Sequence, residues 1–223
     1  SHPVHVHYPA SGQRYFDRLR RASIFTDVAT IAPEPIREPG VIARGKDWTL
    51  SAQKLNHTVP CYGFRLEEAP KRNFAPERLA ALGLEGRIVG QLRRDGQVTL
   101  ADGRTVTMAD VSTERPGQVF AFVMDTRRCE AAVRLGQGAD LLVCESTYLQ
   151  TEAKEAWERG HMTAADAAEI ARSAGARRLV LTHFSQRHPD EAAFVAEAAP
   201  IHPDVGAVVD GTRVPVPPRR GPA

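Results

Sequence analysis

Short apolar runs that stop at a residue able to bind a metal or move a proton recur along this chain. Leu179-Val-Leu runs into Thr182-His183. Val119-Phe-Ala-Phe-Val-Met124 runs into Asp125-Thr126, and Leu50-Ser-Ala-Gln-Lys-Leu55 runs into Asn56-His57. Runs of this length read as strands. Three strands that end in His or Asp predict one rim on which ligands converge.

The remaining pattern fills in a layered α/β architecture. Val4-His-Val-His7 alternates as a strand closed by Tyr8-Pro9, and Ser11-Gly12 opens a helix to about Arg21 with Tyr15, Phe16 and Leu19 on its apolar stripe. Pro33, Pro35 and Pro39 predict an extended connection. Strand-like segments follow at 48–57 and 61–66. From 119 the order is strand 119–124, helix 127–136, strand 140–144, helix 163–174 and strand 178–182. A helix at about 190–198, strands near 205–209 and 213–216, and a frayed Pro217-Pro218-Arg219-Arg220 tail complete it. Strands alternating with helices indicate a layered fold.

Residues 67–118 differ in kind. They carry Lys71-Arg72, Arg78, Arg87 and Arg93-Arg94, a short helix around 76–82, and a hairpin near Asp102-Gly103. Low apolar content predicts a protruding arm more than a core. Glu67, Glu68, Glu77 and Glu85 dilute its positive charge, so a solvated surface excursion is the plainer alternative.

Composition narrows the function. A chain of 223 residues that is 42% hydrophobic can bury a substantial core. Its net charge of +2 declares no bulk nucleic-acid binder, so any such role falls to local patches. No apolar run spans a bilayer and no signal-peptide pattern opens the chain, which makes the cytoplasm the expected compartment. Cys61, Cys129 and Cys144 contain no C-x-x-C pair and read as reduced, packed thiols.

Imidazoles and a carboxylate are donors that zinc favours, and a carboxylate can bridge two ions. Two ions a few ångströms apart suit phosphodiester cleavage, supplying a nucleophile and stabilising charge on the phosphate. His57, Asp125 and His183 are the candidate ligands, although each alone fits a capped strand end. His161 stands apart, in the loop before a helix whose start is marked by a Thr163/Asp166 capping box. A loop His beside a metal rim can donate a proton to a leaving oxygen, and Glu145 could orient it. His5 and His7 form an H-x-H pair with no Asp-His to complete a ligand cluster, so a metal role is not expected of them.

His57-Thr-Val-Pro-Cys-Tyr-Gly-Phe-Arg65, Phe122-Val-Met-Asp125-Thr126-Arg127, Ala139-Asp-Leu-Leu-Val-Cys-Glu145-Ser-Thr147, Gly160-His161-Met-Thr163 and Leu181-Thr-His183-Phe-Ser185-Gln-Arg187 occur in that order. Together they resemble the successive motifs of ribonuclease Z, from about Val4 to Pro217. This family comprises the endonucleases of the metallo-β-lactamase superfamily that trim precursor tRNA at its 3′ end. The resemblance implies an αββα sandwich, two zinc ions per subunit, a homodimer and a precursor-tRNA substrate. It implies that His57 binds one zinc, His183 the other, and Asp125 bridges them. His161, supported by Glu145, would protonate the departing 3′ oxygen, and Ser185 and Arg187 would hold substrate phosphate. Residues 67–118 match the family's inserted tRNA-gripping arm, with Lys71, Arg72, Arg87, Arg93 and Arg94 as its phosphate contacts.

Two departures from the family pattern stand out. Gly86-Arg87 replaces a Gly-Pro found in many relatives. The family's H-x-H-x-D-H cluster, which supplies most zinc ligands, does not occur in these residues. The first sandwich strands are therefore expected to be missing as well, leaving apolar surface uncovered. The expected reading is the downstream part of a longer zinc-dependent endoribonuclease. The alternatives are a catalytically silent tRNA-binding or dimerisation fragment, and a hydrolase of small esters on the same fold.

Overall fold

The computed structural model describes residues 2–219 except 25 and 27, so Arg220 of the expected frayed tail lies outside the described residues. The chain divides into two compact units. One comprises residues up to Glu67 and Val119–Pro217; the other comprises Glu68–Gln118 with the tail from Pro218.

The first unit begins with β1 (Val4–Pro9), a turn of 3₁₀ helix and α1 (Gln13–Arg20). The proline-broken segment expected to be a connection is instead a strand, β2 (Ile31–Ile36), parallel to β1. The Val4 N–H donates to the Thr30 carbonyl at 2.8 Å, which places the ladder groups of β2 on residues 32, 34 and 36. Pro33 and Pro35 therefore turn their missing donors to the free edge, where proline is tolerated.

Next come β3 (Gly40–Arg44), β4 (Trp48–Lys54) and β5 (Tyr62–Glu68). In the second unit follow β6 (Lys71–Phe74), α2 (Pro76–Ala81), α3 (Arg87–Asp95), β7 (Gln97–Thr99), β8 (Thr105–Thr107), α4 (Met108–Val111) and β9 (Ser112–Arg115). The chain then returns with β10 (Val119–Val123), α5 (Glu130–Gly136), β11 (Leu141–Glu145), α6 (Ala153–Arg159), α7 (Ala164–Ala174), β12 (Arg178–Thr182), α8 (Ala192–Ala198) and β13 (Val205–Ala207). No strand forms at 213–216, contrary to expectation. Pro215 and Pro217 remove alternate donors there, so a ladder has little to build on.

Seven strands form one mixed sheet in the order β13-β12-β11-β10-β5-β4-β3. β10 to β13 run parallel, and β5 is antiparallel to β10. β4 and β5 are consecutive neighbours, closed by a Leu55 N–H to Cys61 carbonyl bond of 2.9 Å. β4 thus points the same way as β10 and β12, and all three deliver their C-terminal ends to one rim.

Alternation on β10 decides which face is the core. Val119, Ala121 and Val123 are buried with Leu142, Cys144, Leu179 and Leu181 beneath α5, α7 and α8. Helix α7 presents Ala164, Ala167, Ala168, Ile170 and Ala171 fully buried, and its alanines allow close approach to the sheet and to α5. It starts at the Thr163/Asp166 capping box and stops at Gly175 in the left-handed conformation. On the opposite face Phe122 and Leu66 remain partly exposed.

The second unit has a core of its own, which its composition had not suggested. Leu84, Leu92, Val98, Val106 and Val111 are buried, with Phe74, Leu79, Ile88 and Met108 packed around them. The hairpin β7–β8 turns at Gly103, whose φ is +84°, and Asp102 holds the turn by accepting from the Arg104 N–H at 3.0 Å. Gly86 sits at φ +58° before α3, a conformation suited to glycine. Arg87 then takes the first helical position, where a proline is equally tolerated.

Candidate metal and phosphodiester site

The rim gathers His57, Asp125, Glu145, His161 and His183. Asp125 and His183 follow the last residues of β10 and β12 and both adopt positive φ, 49° and 62°. Non-glycine residues in that region cost on the order of 1 kcal/mol each and concentrate at functional sites. His183 Nε2 lies 3.4 Å from Asp125 Oδ1, and both side chains are nearly half exposed.

Hydrogen bonding fixes which ring nitrogens are free. Glu145 ends β11 with no exposure, and every partner it has is a donor. Oε1 accepts from the Thr126 N–H at 2.7 Å and from His161 Nδ1 at 2.9 Å. Oε2 accepts from the Thr147 hydroxyl at 2.6 Å and, at 3.4 Å, from the Thr147 and Met162 N–H groups. Because Thr147 spends its proton on Glu145, its oxygen must accept from His183 Nδ1 at 2.8 Å. His57 Nδ1 donates to the Gly160 carbonyl at 2.9 Å. In its neutral form each of the three imidazoles therefore carries its proton on Nδ1 and presents the Nε2 lone pair, as metal-binding histidines with an outer acceptor do; a second proton on His161 would sit on Nε2.

A lone pair on His183 Nε2 facing a carboxylate oxygen is repulsive unless a cation or proton lies between them. Donor atoms of Asp125, His161 and His183 all fall within 4.8 Å of one another. The donor set suits a borderline-soft divalent cation, so the residues present fit part of a metal site. The His57 ring lies beside that of His161, with centroids 5.0 Å apart, and the His183 ring lies 5.3 Å away on another side. Sequence reasoning had set His161 apart as a proton donor, whereas the geometry also puts it within reach of a cation.

The hydrogen bond to Glu145 raises the His161 pKa above its ordinary value, against the opposing effect of burial. Burial pushes the Cys61 thiol up to about 11, with the Asp125 charge adding to it. Complete burial likewise raises the Cys144 thiol well above its ordinary value. All three cysteines are unpaired thiols.

The remaining candidates sit at different distances from this centre. Ser185 donates its N–H to the Thr147 carbonyl at 3.0 Å and lines a cleft of about 790 Å³ with His183, Phe122 and Val143. Arg187 is forked onto Glu155 at 2.6 and 2.8 Å, so a phosphate would have to compete for it. His5 faces Glu34 at 3.2 Å, not the rim. In the second unit Arg72 pairs with Glu114 at 3.5 Å and Arg93 stacks on Phe74 at 5.1 Å. Lys71, Arg87 and Arg94 are carried by β6 and α3.

Sequence reasoning missed Thr147 and Gly160. Gly160 has φ +85°, and a Cβ there would stand 2.7 Å from His57 Nδ1. A glycine directly before the loop histidine was the available signal.

A mixed sheet backed by helices, with His and Asp at its strand ends, defines a metallo-β-lactamase-fold protein. A family model described as a beta-lactamase superfamily domain matches residues 79–184. The fold resembles the solved human tRNase Z, short form (TM-score 0.62, 19% identity, 97% of this chain and 69% of that one). It also resembles a metallo-beta-lactamase fold protein of Bacillus subtilis (TM-score 0.60, 17% identity, 93% and 63%). At the sequence level, the ribonuclease Z of Salinispora arenicola is 49% identical over all of this chain and 72% of its own length. That of Thermobifida fusca is 47% identical over 99% and 70%. The chain belongs to the ribonuclease Z family. No helix among the described residues is long and apolar enough to cross a membrane.

Proposed function

We infer that this chain carries catalytic machinery of a zinc-dependent endoribonuclease that removes the 3′ trailer from precursor tRNA by phosphodiester hydrolysis. The observation that carries this reading is the cluster of Asp125, His161 and His183, with the His57 ring beside that of His161. His57, Asp125 and His183 would hold zinc, two ions per subunit in the complete enzyme. Bound zinc supplies Lewis-acid polarisation of a phosphoryl oxygen and acidifies water at neutral pH.

The chain's own residues do the rest. Glu145 holds the His161 ring by Nδ1 and favours its protonated form, so His161 Nε2 can deliver a proton to the departing 3′ oxygen. Ser185 lies beside His183 along the cleft and offers a hydroxyl to the phosphate. Arg187 reaches that phosphate by exchanging Glu155 for it. Lys71, Arg72, Arg87, Arg93 and Arg94 of the Glu68–Gln118 unit meet tRNA phosphates without reading sequence. A homodimeric, cytoplasmic enzyme is part of the same reading.

Replacing His161 with Ala tests it. Cleavage of a precursor tRNA should fall roughly 10²–10⁴-fold, the usual contribution of a positioned acid, with RNA affinity retained. Undiminished cleavage by His161→Ala in the complete enzyme would remove the assigned acid, and a complete wild-type enzyme inert toward precursor tRNA would remove the function itself.

A further inference from the structure

Trp157 on α6 is 62% exposed although it is one of only two tryptophans in the chain. It is nevertheless held firmly from behind. The Arg127 guanidinium lies over the indole, with Cζ 5.0 Å from the ring centroid. The same side chain donates through Nε to the Trp157 carbonyl at 2.7 Å and through Nη1 to Asn56 Oδ1 at 3.3 Å. The Arg127 N–H also donates to the Asn56 carbonyl at 2.8 Å. Arg127 therefore ties the indole to two of the strand ends that form the rim.

Position and shape both point to a ligand. Trp157 and His161 line one cleft of about 460 Å³, together with Arg128, Cys129 and Asp166. That size falls within the roughly 300–1,000 Å³ of small-molecule sites. The Gly160 N–H donates to the Trp157 carbonyl at 3.2 Å, so the indole lies within a turn of the residue that orients His57. An exposed indole held on one face by a guanidinium leaves its other face for a planar ring. Bases stack on such rings with little regard to identity.

We propose that Trp157, backed by Arg127, is the stacking platform for the base of the nucleotide that carries the departing 3′ oxygen. This rests on the assignment of His161 as donor to that oxygen. The oxygen must then sit at His161, and its own nucleotide beside it, where the shared cleft presents Trp157. Stacking fixes the last retained nucleotide and hence the bond that is cut, and it accepts any base there.

The test uses Trp48→Phe, which leaves Trp157 as the chain's single tryptophan. Emission is titrated with a short RNA ending at the retained 3′ nucleotide, and with the same RNA made abasic at that nucleotide. Quenching by the first and not the second is expected; equal quenching by both would overturn the platform. In cleavage of a precursor tRNA, Trp157→Ala should raise KM roughly five- to a hundredfold, as loss of one stacked base implies. Little change in kcat and substantial recovery in Trp157→Phe should accompany it. A precursor abasic at that nucleotide should show no further loss on Trp157→Ala, and the same loss with both precursors would count against the platform. Wild-type cleavage with an unaffected Trp157→Ala overturns the platform alone. Wild-type protein that neither binds nor cleaves precursor overturns the nuclease reading, and the platform falls with it.

Discussion

Replacing Glu145 with Gln should damage the site through protons more than through shape. The side chain is fully buried and accepts from five donors, three of them at 2.9 Å or less. An amide keeps one acceptor and adds two donors, so it must choose an orientation. With its oxygen toward Thr126 and His161, the amide nitrogen meets the Thr147 and Met162 N–H groups. It also donates to the Thr147 oxygen and turns that hydroxyl proton onto His183 Nδ1. The His183 proton then moves to Nε2, the atom that faces Asp125 Oδ1 at 3.4 Å, and the ligand lone pair is gone. With the amide reversed, Met162 and Thr147 are satisfied but His161 Nδ1 must accept, and its tautomer inverts instead. Each hydrogen bond to a charged group contributes about 1.5–3 kcal/mol. Allowing for those retained, the loss is about 2–4 kcal/mol, or roughly 5–15 °C in Tm for a chain of this size. Losing an outer partner of a metal-binding histidine typically weakens metal about 10–100-fold. Since the Glu145 hydrogen bond raises the His161 pKa, the acid form of His161 persists to higher pH in the wild type. The alkaline limb of the rate profile should therefore move to lower pH in Glu145→Gln. Calorimetric unfolding and competitive zinc titration measure the first two effects. A variant with wild-type Tm and zinc affinity would refute the tautomer argument.

Gly160→Ala should cost about 1–2 kcal/mol from its left-handed backbone alone, and the new Cβ would displace His57 Nδ1. A chemical denaturation curve together with a zinc isotherm shows whether both fall. Leu92→Ala, at a fully buried position of the second unit, should cost about 2–5 kcal/mol. Amide exchange should rise across Glu68–Gln118 and stay unchanged in β10–β12; exchange that rises equally everywhere would contradict two separate cores. Cys61, with its thiol near 11, should be only about 0.1% thiolate at pH 8. Peptide-mapped alkylation should then be about a hundredfold slower there than for a free cysteine, and prompt labelling would show the thiol to be less buried.

What the sequence disclosed follows from which signals are local. β10 and β12 were legible because a continuous apolar run ends abruptly at a polar residue, and α7 because Thr163 and Asp166 cap it across three positions. Helix α3 is hard to read because Gly90 and three arginines dilute the spacing of Ile88, Val89 and Leu92, although those residues build the second unit's core. Helix α6 buries only Ala156 fully, too little for a stripe. β2 was misjudged because proline was read as a breaker without asking which edge it would face. Within the site, residue types declared His57, Asp125, His161 and His183. The role of Thr147 depends on His183, 36 residues later, landing against it. The engagement of Arg187 by Glu155 is likewise a property of the folded chain.

The buried carboxylate also explains how the rim holds its strained backbone. Asp125 at positive φ turns the chain so that the next N–H, that of Thr126, points inward and donates to Glu145 at 2.7 Å. Thr126 is itself fully buried, and its hydroxyl accepts from the Asn56 N–H at 3.0 Å, fastening the strand end that carries His57. One side chain thus orients His161 directly, His183 through Thr147 and Asp125 through the backbone, while Thr126 extends the link toward His57. The desolvation of Glu145 is compensated by five donors, and each of those donors belongs to a residue of the site or to its immediate neighbour. Stability and site geometry share the same bonds here, so a substitution that loosens one must loosen the other.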